Sequence, residues 1–323
     1  LAFIALVFII YYGTTTDFVL GGVLDAEKIS GMEELLKFVF LLAFVGFGTK
    51  AAVFPMYAWL PAASVAPTPV TALLHAVAVV NAGAYAVLRV IYYSFGASFL
   101  HGTWAQTVAL LLSCFTILFG STMAVREQHF KRRLAYSTIS NLSYMLMGAA
   151  LMTPDGMTGS LSHLVIHGVI KITLFYCAGA ILIKTGKEYV QDLRGYSRIM
   201  PATCGIFLLG SIALVGTPPL AGFVSKWNLL TAASATELPM GTVAIVCLII
   251  SAILTAIYLF TAALPMYFRP LNADQAQLAG QKLDPSWMML VPMGILCALM
   301  IGLGLWSQPL VTFLRNIAAG VIF

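Results

Sequence analysis

The sequence predicts an all-α integral membrane protein, a polytopic helical bundle, from its composition and from the length and pattern of its apolar runs. Of the 323 residues, 60% are hydrophobic and 9% are charged, whereas soluble domains contain about 25% charged residues. Apolar runs of about 18 residues or more recur along the chain, and each can cross a hydrocarbon core as a helix. Because these runs are continuous rather than alternating, helices and not barrel strands satisfy their backbone groups.

Hydropathy divides this single transmembrane domain (residues 1–323) into about nine spans joined by short connections. The spans are expected near residues 1–24, 35–57, 70–95, 104–125, 131–152, 160–184, 200–232, 240–268 and 286–313. The chain begins inside an apolar run, without an initiator Met or a basic signal-peptide region. We therefore expect further residues upstream of Leu1.

Lys and Arg in the connecting loops predict the orientation of the chain. Three alternate loops carry most of them: Arg126, Lys131, Arg132 and Arg133; then Lys184, Lys187, Arg194 and Arg198; then Arg269 and Lys282. The opposite loops carry Lys28 and the acids Asp17, Asp25, Glu27, Glu33, Glu34, Asp155 and Glu237. By the positive-inside rule the basic loops are cytoplasmic in a multi-pass inner-membrane protein, with Leu1 inside and Phe323 outside.

Composition also argues against several kinds of site. The net charge of +5 is scattered, without an aromatic-interleaved basic stripe, so nucleic acid is not an expected partner. The cysteines stand singly in apolar runs, at Cys114, Cys177, Cys204, Cys247 and Cys297. Their spacing does not match zinc, iron–sulfur or redox sites. We therefore expect no metal, cofactor or catalytic residue in this chain.

Two spans contain helix breakers and are predicted to be discontinuous, near residues 46–57 and 214–223. Proline removes a backbone donor and clashes with the preceding turn. The breakers are Gly46, Gly48 and Pro55 around Lys50, and Gly216, Pro218, Pro219 and Gly222 ahead of Lys226. Paired interrupted helices in corresponding halves are typical of repeat-built transporters.

The two breaks are five spans apart, which predicts two five-helix repeats with the second copy inverted. Residues 1–95 would be the remainder of the first repeat, whose first helices lie upstream. Residues 104–268 would form the second repeat, and residues 286–313 an additional C-terminal helix.

Titratable side chains inside apolar spans are the candidate functional residues: Lys50, His75, His163, His167, Lys171 and Lys226. A charge in hydrocarbon costs roughly 3 kcal/mol or more, so such groups persist where they face a polar interior. The three on the sixth span recur every four residues, which stacks them about 6 Å apart on one helix face. Because imidazole exchanges protons near neutral pH, this ladder could pass protons through bridging water.

Structural explanations for these groups stay open. The histidines would also fit hydrogen-bonded positions in a polar core, and Lys226 would also fit snorkelling to an interface. At helix breaks, however, free carbonyls and local water can accommodate both protonation states of Lys50 and Lys226. Intramembrane acids are nearly absent, so a carboxylate partner is expected upstream of Leu1 or on a neighbouring subunit.

Other basic residues have simpler interpretations. Lys131, Arg132 and Arg133 are expected only to mark the positive-inside boundary. Arg89 lies well inside the third span and is expected to pair with an acidic group.

Four segments resemble the antiporter-like membrane subunits shared by respiratory complex I, Mrp-type cation/proton antiporters and membrane-bound hydrogenases. They are KAAVFPMYAWLPAASVAPTPVTALLHA, KRRLAYSTISNLSYM, HLVIHGVIKITLF and GTPPLAGFVSKWNLL. The resemblance implies a relay in which Lys50 pairs with a glutamate of an earlier helix that would precede Leu1, and His75 links from Lys50. It further implies that the central relay is the ladder, which consists of His163, His167 and Lys171. The exit-side group would be Lys226, and some relatives have a glutamate at that position.

The sequence therefore predicts a subunit that moves protons, with Na⁺ exchange as an option, in a redox-driven or Mrp-type complex. Redox chemistry would lie elsewhere in that complex. The resemblance implies partners of two kinds, namely other membrane subunits, including homologous antiporter-like ones, and a peripheral redox or antiporter module, with lipids around them. Two alternatives stay open: a transporter subunit for inorganic carbon, and a structural membrane anchor that has lost transport.

Overall fold

The computed structural model describes residues 1–236, 239–272 and 280–320. Its α-helices are α1 (Ala2–Tyr12), α2 (Ala26–Ile29), α3 (Glu33–Gly48), α4 (Trp59–Ala63), α5 (Thr68–Ala76), α6 (Val79–Arg89), α7 (Ala97–Leu100), α8 (Trp104–Arg126), α9 (Phe130–Ala150), α10 (Pro154–Thr185), α11 (Pro201–Val215), α12 (Ala221–Ser234), α13 (Pro239–Phe268), α14 (Trp287–Leu305) and α15 (Gln308–Ala318). A π-helical segment, Val90–Phe95, follows α6, and 3-10 turns at Val190–Leu193 and Tyr196–Arg198 follow α10. Glu237 and Phe323, both expected on the outer side, lie outside the described residues.

Several helices are suited to cross a membrane, which confirms the predicted all-α membrane fold. By length and composition, the described stretches that qualify are Thr68–Phe95, Trp104–Arg126, Pro154–Thr185, Pro239–Phe268 and Trp287–Leu305. Helices α1 and α11 are also apolar but shorter. The inverted relation of the two repeats stays a prediction.

Three predicted spans have different bounds in the structure. The span expected near residues 1–24 contains only the short α1, because Gly13 is extended and pairs with Leu24 in an antiparallel bridge. The span expected near residues 70–95 is interrupted between α5 and α6. The span expected near residues 286–313 is interrupted between α14 and α15.

Both predicted helix breaks are present. Helix α3 ends at Gly48, and Lys50 lies in the turns that separate it from α4. Helix α11 ends at Val215, where Gly216 adopts a left-handed conformation with a φ of 95°. Glycine takes this conformation without the steric cost of a Cβ, and the chain then passes through turns into α12.

Helix α9 is the most enclosed of the long helices. All of its 21 residues except Arg132 and Tyr136 are buried, and it contacts α4, α6, α8, α10, α12 and α13. Small residues permit this packing: a Cβ on Gly120 of α8 would lie 2.9 Å from the amide nitrogen of Ser140. Polar side chains of α9 therefore face protein rather than lipid.

Helix α10, the longest, lies beside α9 and positions the candidate residues. It has 32 residues and begins at Thr153, whose side chain accepts a hydrogen bond from the Gly156 amide. It ends at Gly186, which is left-handed. Helix α10 packs against α5 and α9, which precede it in the chain, and against α11 and α12, which follow it. A side chain on its inner face can therefore contact helices from both parts of the chain.

Candidate functional site

Helix α10 carries His163, His167 and Lys171 on one buried face, as their spacing predicts. His167 and Lys171 have no exposed surface, and His163 is 2% exposed. The rings of His163 and His167 are stacked, with centroids 5.8 Å apart and planes at 25°. The ladder is therefore present, with its imidazoles one helical turn apart.

The ammonium of Lys171 is held by α9. Its Nζ donates to the carbonyl oxygen of Leu134 at 2.9 Å and to the hydroxyl of Ser137. Both acceptors are neutral, so neither of them cancels a charge on the lysine.

Helix α12 brings two polar side chains to the other end of the ladder. The hydroxyl oxygen of Ser225 lies 2.9 Å from Nδ1 of His163. The Nζ of Lys226 donates to the carbonyl oxygens of Leu214 at 2.7 Å and Val215 at 3.0 Å. These carbonyls are among the last of α11, where a helix end leaves acceptors without helical partners. The break thus provides the acceptors that Lys226 uses.

Tyr144 of α9 connects these groups to a second polar region. Its ring centroid lies 5.5 Å from the Lys226 Nζ and 5.4 Å from the His163 ring centroid. Its hydroxyl donates to Ser251 of α13 at 2.7 Å. The ring of Tyr144 therefore contacts both Lys226 and His163.

Three buried serines from three helices form the second region, which we call the serine cluster: Ser121, Ser140 and Ser251. Their hydroxyl oxygens are 2.5–3.2 Å apart. Neither these serines nor the contacts of Ser137 and Ser225 are predicted by the apolar pattern of the sequence. The usable signal was the segment STISNLSY of α9, whose polar residues are not confined to one face, as is typical of a helix with protein on all sides.

His75 approaches the ladder from α5. It has no exposed surface, and its ring stacks on Phe175 of α10 with centroids 5.0 Å apart. Its Nε2 lies 3.4 Å from the hydroxyl oxygen of Ser64, which directly follows α4. His167 interacts electrostatically with four other candidates, namely the buried His75, His163 and Lys171 and the partly buried Lys226. The structure thus brings five of the six predicted residues together around His167.

Lys50 is not part of this cluster, and the prediction that it lies buried within its span is wrong for this chain. Its side chain is exposed. The backbone at Lys50 packs closely on α6, where a Cβ on Gly83 would lie 2.6 Å from the Lys50 Cβ. The helix break therefore fixes the position of the Lys50 backbone but leaves its side chain at the surface.

Several buried ring nitrogens have no hydrogen-bond partner among the described residues: Nδ1 of His75, Nε2 of His163 and both nitrogens of His167. A buried polar atom without a partner costs about 1–3 kcal/mol. Such atoms make the interior of this cluster polar, and they are free to bind water.

The acids near the ends of the spans lie where they were expected. Glu34, in the first turn of α3, accepts from Lys37 Nζ at 2.6 Å and from the Trp104 indole at 2.7 Å. Glu127, directly after α8, accepts from the amide of His129 at 2.9 Å. Neither of these carboxylates contacts the ladder.

Arg89 was expected to pair with an acidic group, but among the described residues it forms no ion pair. Its guanidinium carbon lies 4.3 Å from the ring centroid of Phe18 and 4.9 Å from that of Tyr85. Two aromatic faces therefore stabilise this cation through cation–π contacts. Phe18 comes from the segment after α1, which the hydropathy pattern had placed inside a helix.

The described residues contain no group of three or more His, Cys, Asp or Glu side chains that could hold a metal ion. All five cysteines are free, and Cys297 is the one that is only partly buried.

The chain was compared with known families and curated proteins. The family described as NADH:quinone oxidoreductase/Mrp antiporter, TM, matches residues 2–255. NADH-quinone oxidoreductase subunit N of Desulforudis audaxviator is 33% identical over 290 residues, which cover 86% of this chain and 56% of that protein. Subunit L of the same enzyme from Rickettsia bellii is 35% identical over 224 residues, covering 69% of this chain and 33% of the relative. The chain thus spans about half the length of the first of these relatives.

Solved structures share the fold. A chain of the Mrp complex from a Dietzia species superimposes with a TM-score of 0.83 at 23% identity, covering 99% of this chain and 65% of that one. A chain of respiratory complex I from Thermus thermophilus gives a TM-score of 0.78 at 23% identity, with the same coverage. At this identity the likeness establishes the arrangement of helices.

Proposed function

The chain belongs to the NADH:quinone oxidoreductase/Mrp antiporter transmembrane family, and we propose that it conducts protons along a lateral relay of buried lysines and histidines. The observation that carries the proposal is the convergence of four titratable side chains on His167, two of which lie with it on one face of α10. Charged or titratable groups inside a membrane bundle are costly, and they are retained where a pathway uses them.

The proposed route follows α10 and ends at Lys226, its exit-side group. His75, beside Phe175, would pass the proton to the Lys171 end of the ladder. From Lys171 it would pass through the stacked ring of His167 to His163, which contacts Ser225, and then to Lys226. Water bound to the unpartnered ring nitrogens would carry the proton across the gaps between these side chains.

Charge repulsion would couple the members of this relay. Lys171 and Lys226 both act electrostatically on His167, and like charges in a low-dielectric interior disfavour one another. A proton arriving at one lysine would therefore promote release from another site. Coupled groups of this kind exchange protons as a set rather than singly.

Lys50 is proposed as the sixth member of the relay, at its entry end before His75. The family resemblance supports this role, and in this chain the link is indirect: α4 follows the break, and Ser64 at the end of α4 contacts His75. A carboxylate beside Lys50, from an earlier helix or a neighbouring subunit, is part of the proposal.

The setting proposed for the chain is a multisubunit membrane complex. Its structural relatives come from an Mrp complex, from respiratory complex I and from an archaeal membrane-bound sulfane sulfur reductase. We propose other membrane subunits and a peripheral redox or antiporter module as partners. The location would be the cytoplasmic membrane, with the basic loops on the cytoplasmic side.

Na⁺ exchange is proposed as an optional activity of the second break. The carbonyls of Leu214 and Val215, which accept from Lys226, lie at the C-terminal end of a broken helix, a kind of oxygen that coordinates Na⁺ in transporters. Replacing Na⁺ with choline in a flux assay separates this activity from proton conduction.

The test uses alanine variants of three lysines in the assembled complex: Lys50→Ala, Lys171→Ala and Lys226→Ala. Acidification of inside-out vesicles is followed with a pH-sensitive dye, and assembly is followed by native electrophoresis. We expect reduced coupled pumping with assembly largely intact, and normal pumping in Lys187→Ala, a matched loop lysine. Unchanged pumping in all three variants would reject the relay.

The same variants separate the alternatives. An inorganic-carbon transporter would take up labelled bicarbonate, and the lysine variants would lower that uptake instead of pumping. A structural anchor would give no flux that depends on any of these lysines.

A further inference from the structure

A cavity lined by three arginines lies at the end of α13, among the basic loops and away from the ladder. We call it the basic cavity; it has a volume of 280 Å³ and is lined by Val125, Gln128, Arg133, Val190, Gln191, Arg194, Thr261, Pro265 and Arg269. None of these described lining residues is acidic. Arginines brought together in this way create a site for an anion.

Arg133 forms the fixed part of the basic cavity. It is 3% exposed, and its Nε donates to the carbonyl of Glu127 at 2.8 Å. Its Nη1 donates to the Tyr258 carbonyl and to the Thr261 hydroxyl, both at 3.0 Å. This residue therefore does more than mark the membrane boundary, because its guanidinium ties the start of α9 to α13.

The other two arginines are more accessible. Arg194, from the loop after α10, is partly buried, and Arg269, directly after α13, is exposed. Both line the basic cavity, so their guanidinium groups lie within reach of a ligand that enters it. An arginine guanidinium is planar and can bind a phosphate through two parallel hydrogen bonds.

An apolar groove continues from the basic cavity along α13. It has a volume of 570 Å³ and is lined by Ala256, Ile257, Phe260, Thr261, Leu264, Pro265, Phe268 and Arg269. Thr261, Pro265 and Arg269 line both spaces. Apolar side chains of the groove are exposed, with 46% of Leu264 and 81% of Phe268 accessible.

We propose that the basic cavity and the apolar groove together bind one anionic phospholipid. The phosphate would lie between Arg194 and Arg269 above Arg133, and an acyl chain would follow the groove. Residues 256–268 cover about 18 Å of helix, which is close to half of a hydrocarbon core of about 30 Å. The arginines at the end of the span sit at headgroup depth, where basic side chains attract anionic lipids.

Charge and shape together favour a lipid over a free anion. Inorganic phosphate would contact only the basic cavity and would leave the exposed Leu264 and Phe268 uncovered. A phospholipid satisfies both regions with one molecule, because they share residues.

The first test measures lipid retention by the purified chain in mild detergent, using native mass spectrometry with phosphatidylglycerol or phosphatidylcholine. The wild type is expected to retain one phosphatidylglycerol and to prefer it to phosphatidylcholine. The double variant Arg194→Gln/Arg269→Gln should bind it roughly tenfold or more weakly. The matched control, Lys184→Gln/Arg198→Gln, removes the same charge from exposed neighbouring positions and should bind as the wild type does.

A second variant tests the groove. Ala256→Trp places a large side chain in the acyl path, and it should weaken phosphatidylglycerol binding while leaving binding of inorganic phosphate unchanged. Equal binding by the wild type and the arginine double variant would overturn the site. Binding of inorganic phosphate as tight as that of the lipid, with no effect of Ala256→Trp, would overturn the lipid as its occupant. Thermal unfolding of each variant shows that the fold is retained, and none of these measurements depends on proton flux.

Discussion

The two helix breaks have similar sequences, with glycine and proline around a lysine, but they hold the lysine differently. At the second break the Lys226 ammonium donates to two carbonyls of α11 and lies 5.5 Å from the Tyr144 ring. At the first break the Lys50 side chain is exposed. A breaker motif therefore fixes where the helix stops, and the surrounding helices determine what its lysine contacts.

The surroundings of the second break show how this works. Helix α12 packs against α10, α13 and α14, and Gly304 of α14 lies directly on the break. A Cβ on Gly304 would come within 2.1 Å of the Pro219 carbonyl oxygen. Close backbone packing of this kind brings α12 and α14 together at the break, and Lys226 beside it is partly buried.

The largest effect is expected from Gly222→Ala at the second break. The new Cβ would lie 1.7 Å from the carbonyl oxygen of Ala213, so α11 and α12 would have to separate, at a cost of roughly 3 kcal/mol or more. Thermal unfolding in detergent and the yield of folded protein measure this. Gly205→Ala in α11, whose Cβ would have its nearest neighbour 3.9 Å away, is the control, and equal stability of the two variants would contradict the prediction.

A smaller effect is expected from Gly83→Ala, which tests the first break in the same way. The Cβ would meet the Lys50 Cβ at 2.6 Å and the Ala51 amide nitrogen at 2.7 Å. Because the Lys50 side chain is exposed, this turn can shift outward, so we expect a cost of about 1–2 kcal/mol. Gly294→Ala, which has open space around its Cβ, should be neutral. A loss of stability in Gly83→Ala larger than that in Gly222→Ala would contradict the expected order of the two breaks.

Ser225→Ala removes the hydrogen bond that links the second break to the ladder. Its hydroxyl lies 2.9 Å from His163 Nδ1, and its loss should cost about 1 kcal/mol. Proton flux in vesicles should fall severalfold, because the ring would lose the contact that orients it. Ser234→Ala, an exposed serine bonded within its own helix, should change neither value, and full flux in Ser225→Ala would show that the contact is structural.

Ser64→Ala, in the segment that follows the first break, should have the smallest effect. Its hydroxyl is 3.4 Å from His75 Nε2, and hydrogen bonds of this length contribute less. We expect a change of about 0.5 kcal/mol or less in unfolding, with a smaller decrease in flux than in Ser225→Ala. An effect equal to that of Ser225→Ala would indicate that both breaks are coupled to the ladder to the same extent.

Much of the fold follows from local sequence signals. Continuous apolar runs predict membrane helices, and glycines and prolines predict the two breaks. The interruption after His75 had no such signal, because no glycine or proline lies between α5 and α6. There the free carbonyl of Ala76 accepts from Asn81 at 2.9 Å, and Gly168 of α10 packs against the same carbonyl. A tertiary contact, not a local preference, stabilises that interruption.

The candidate site likewise has features that local sequence predicts and features that depend on distant packing. The four-residue spacing predicts the shared face of His163, His167 and Lys171, since helical geometry alone decides it. The exposure of Lys50 and the partners of Arg89 could not be predicted, because both depend on which distant segments pack beside them. Likewise, a single serine in an apolar helix looks the same whether it faces lipid or belongs to the serine cluster.

The burial of α9 has a consequence for biosynthesis. This helix carries basic residues in its first turn and serines along its length, and it is absent from the described stretches apolar enough to span a membrane unaided. Insertion machinery releases a helix into lipid according to its apolarity, so we expect α9 to be retained until α8 and α10 can cover it. On this expectation residues 104–185 enter the bilayer together.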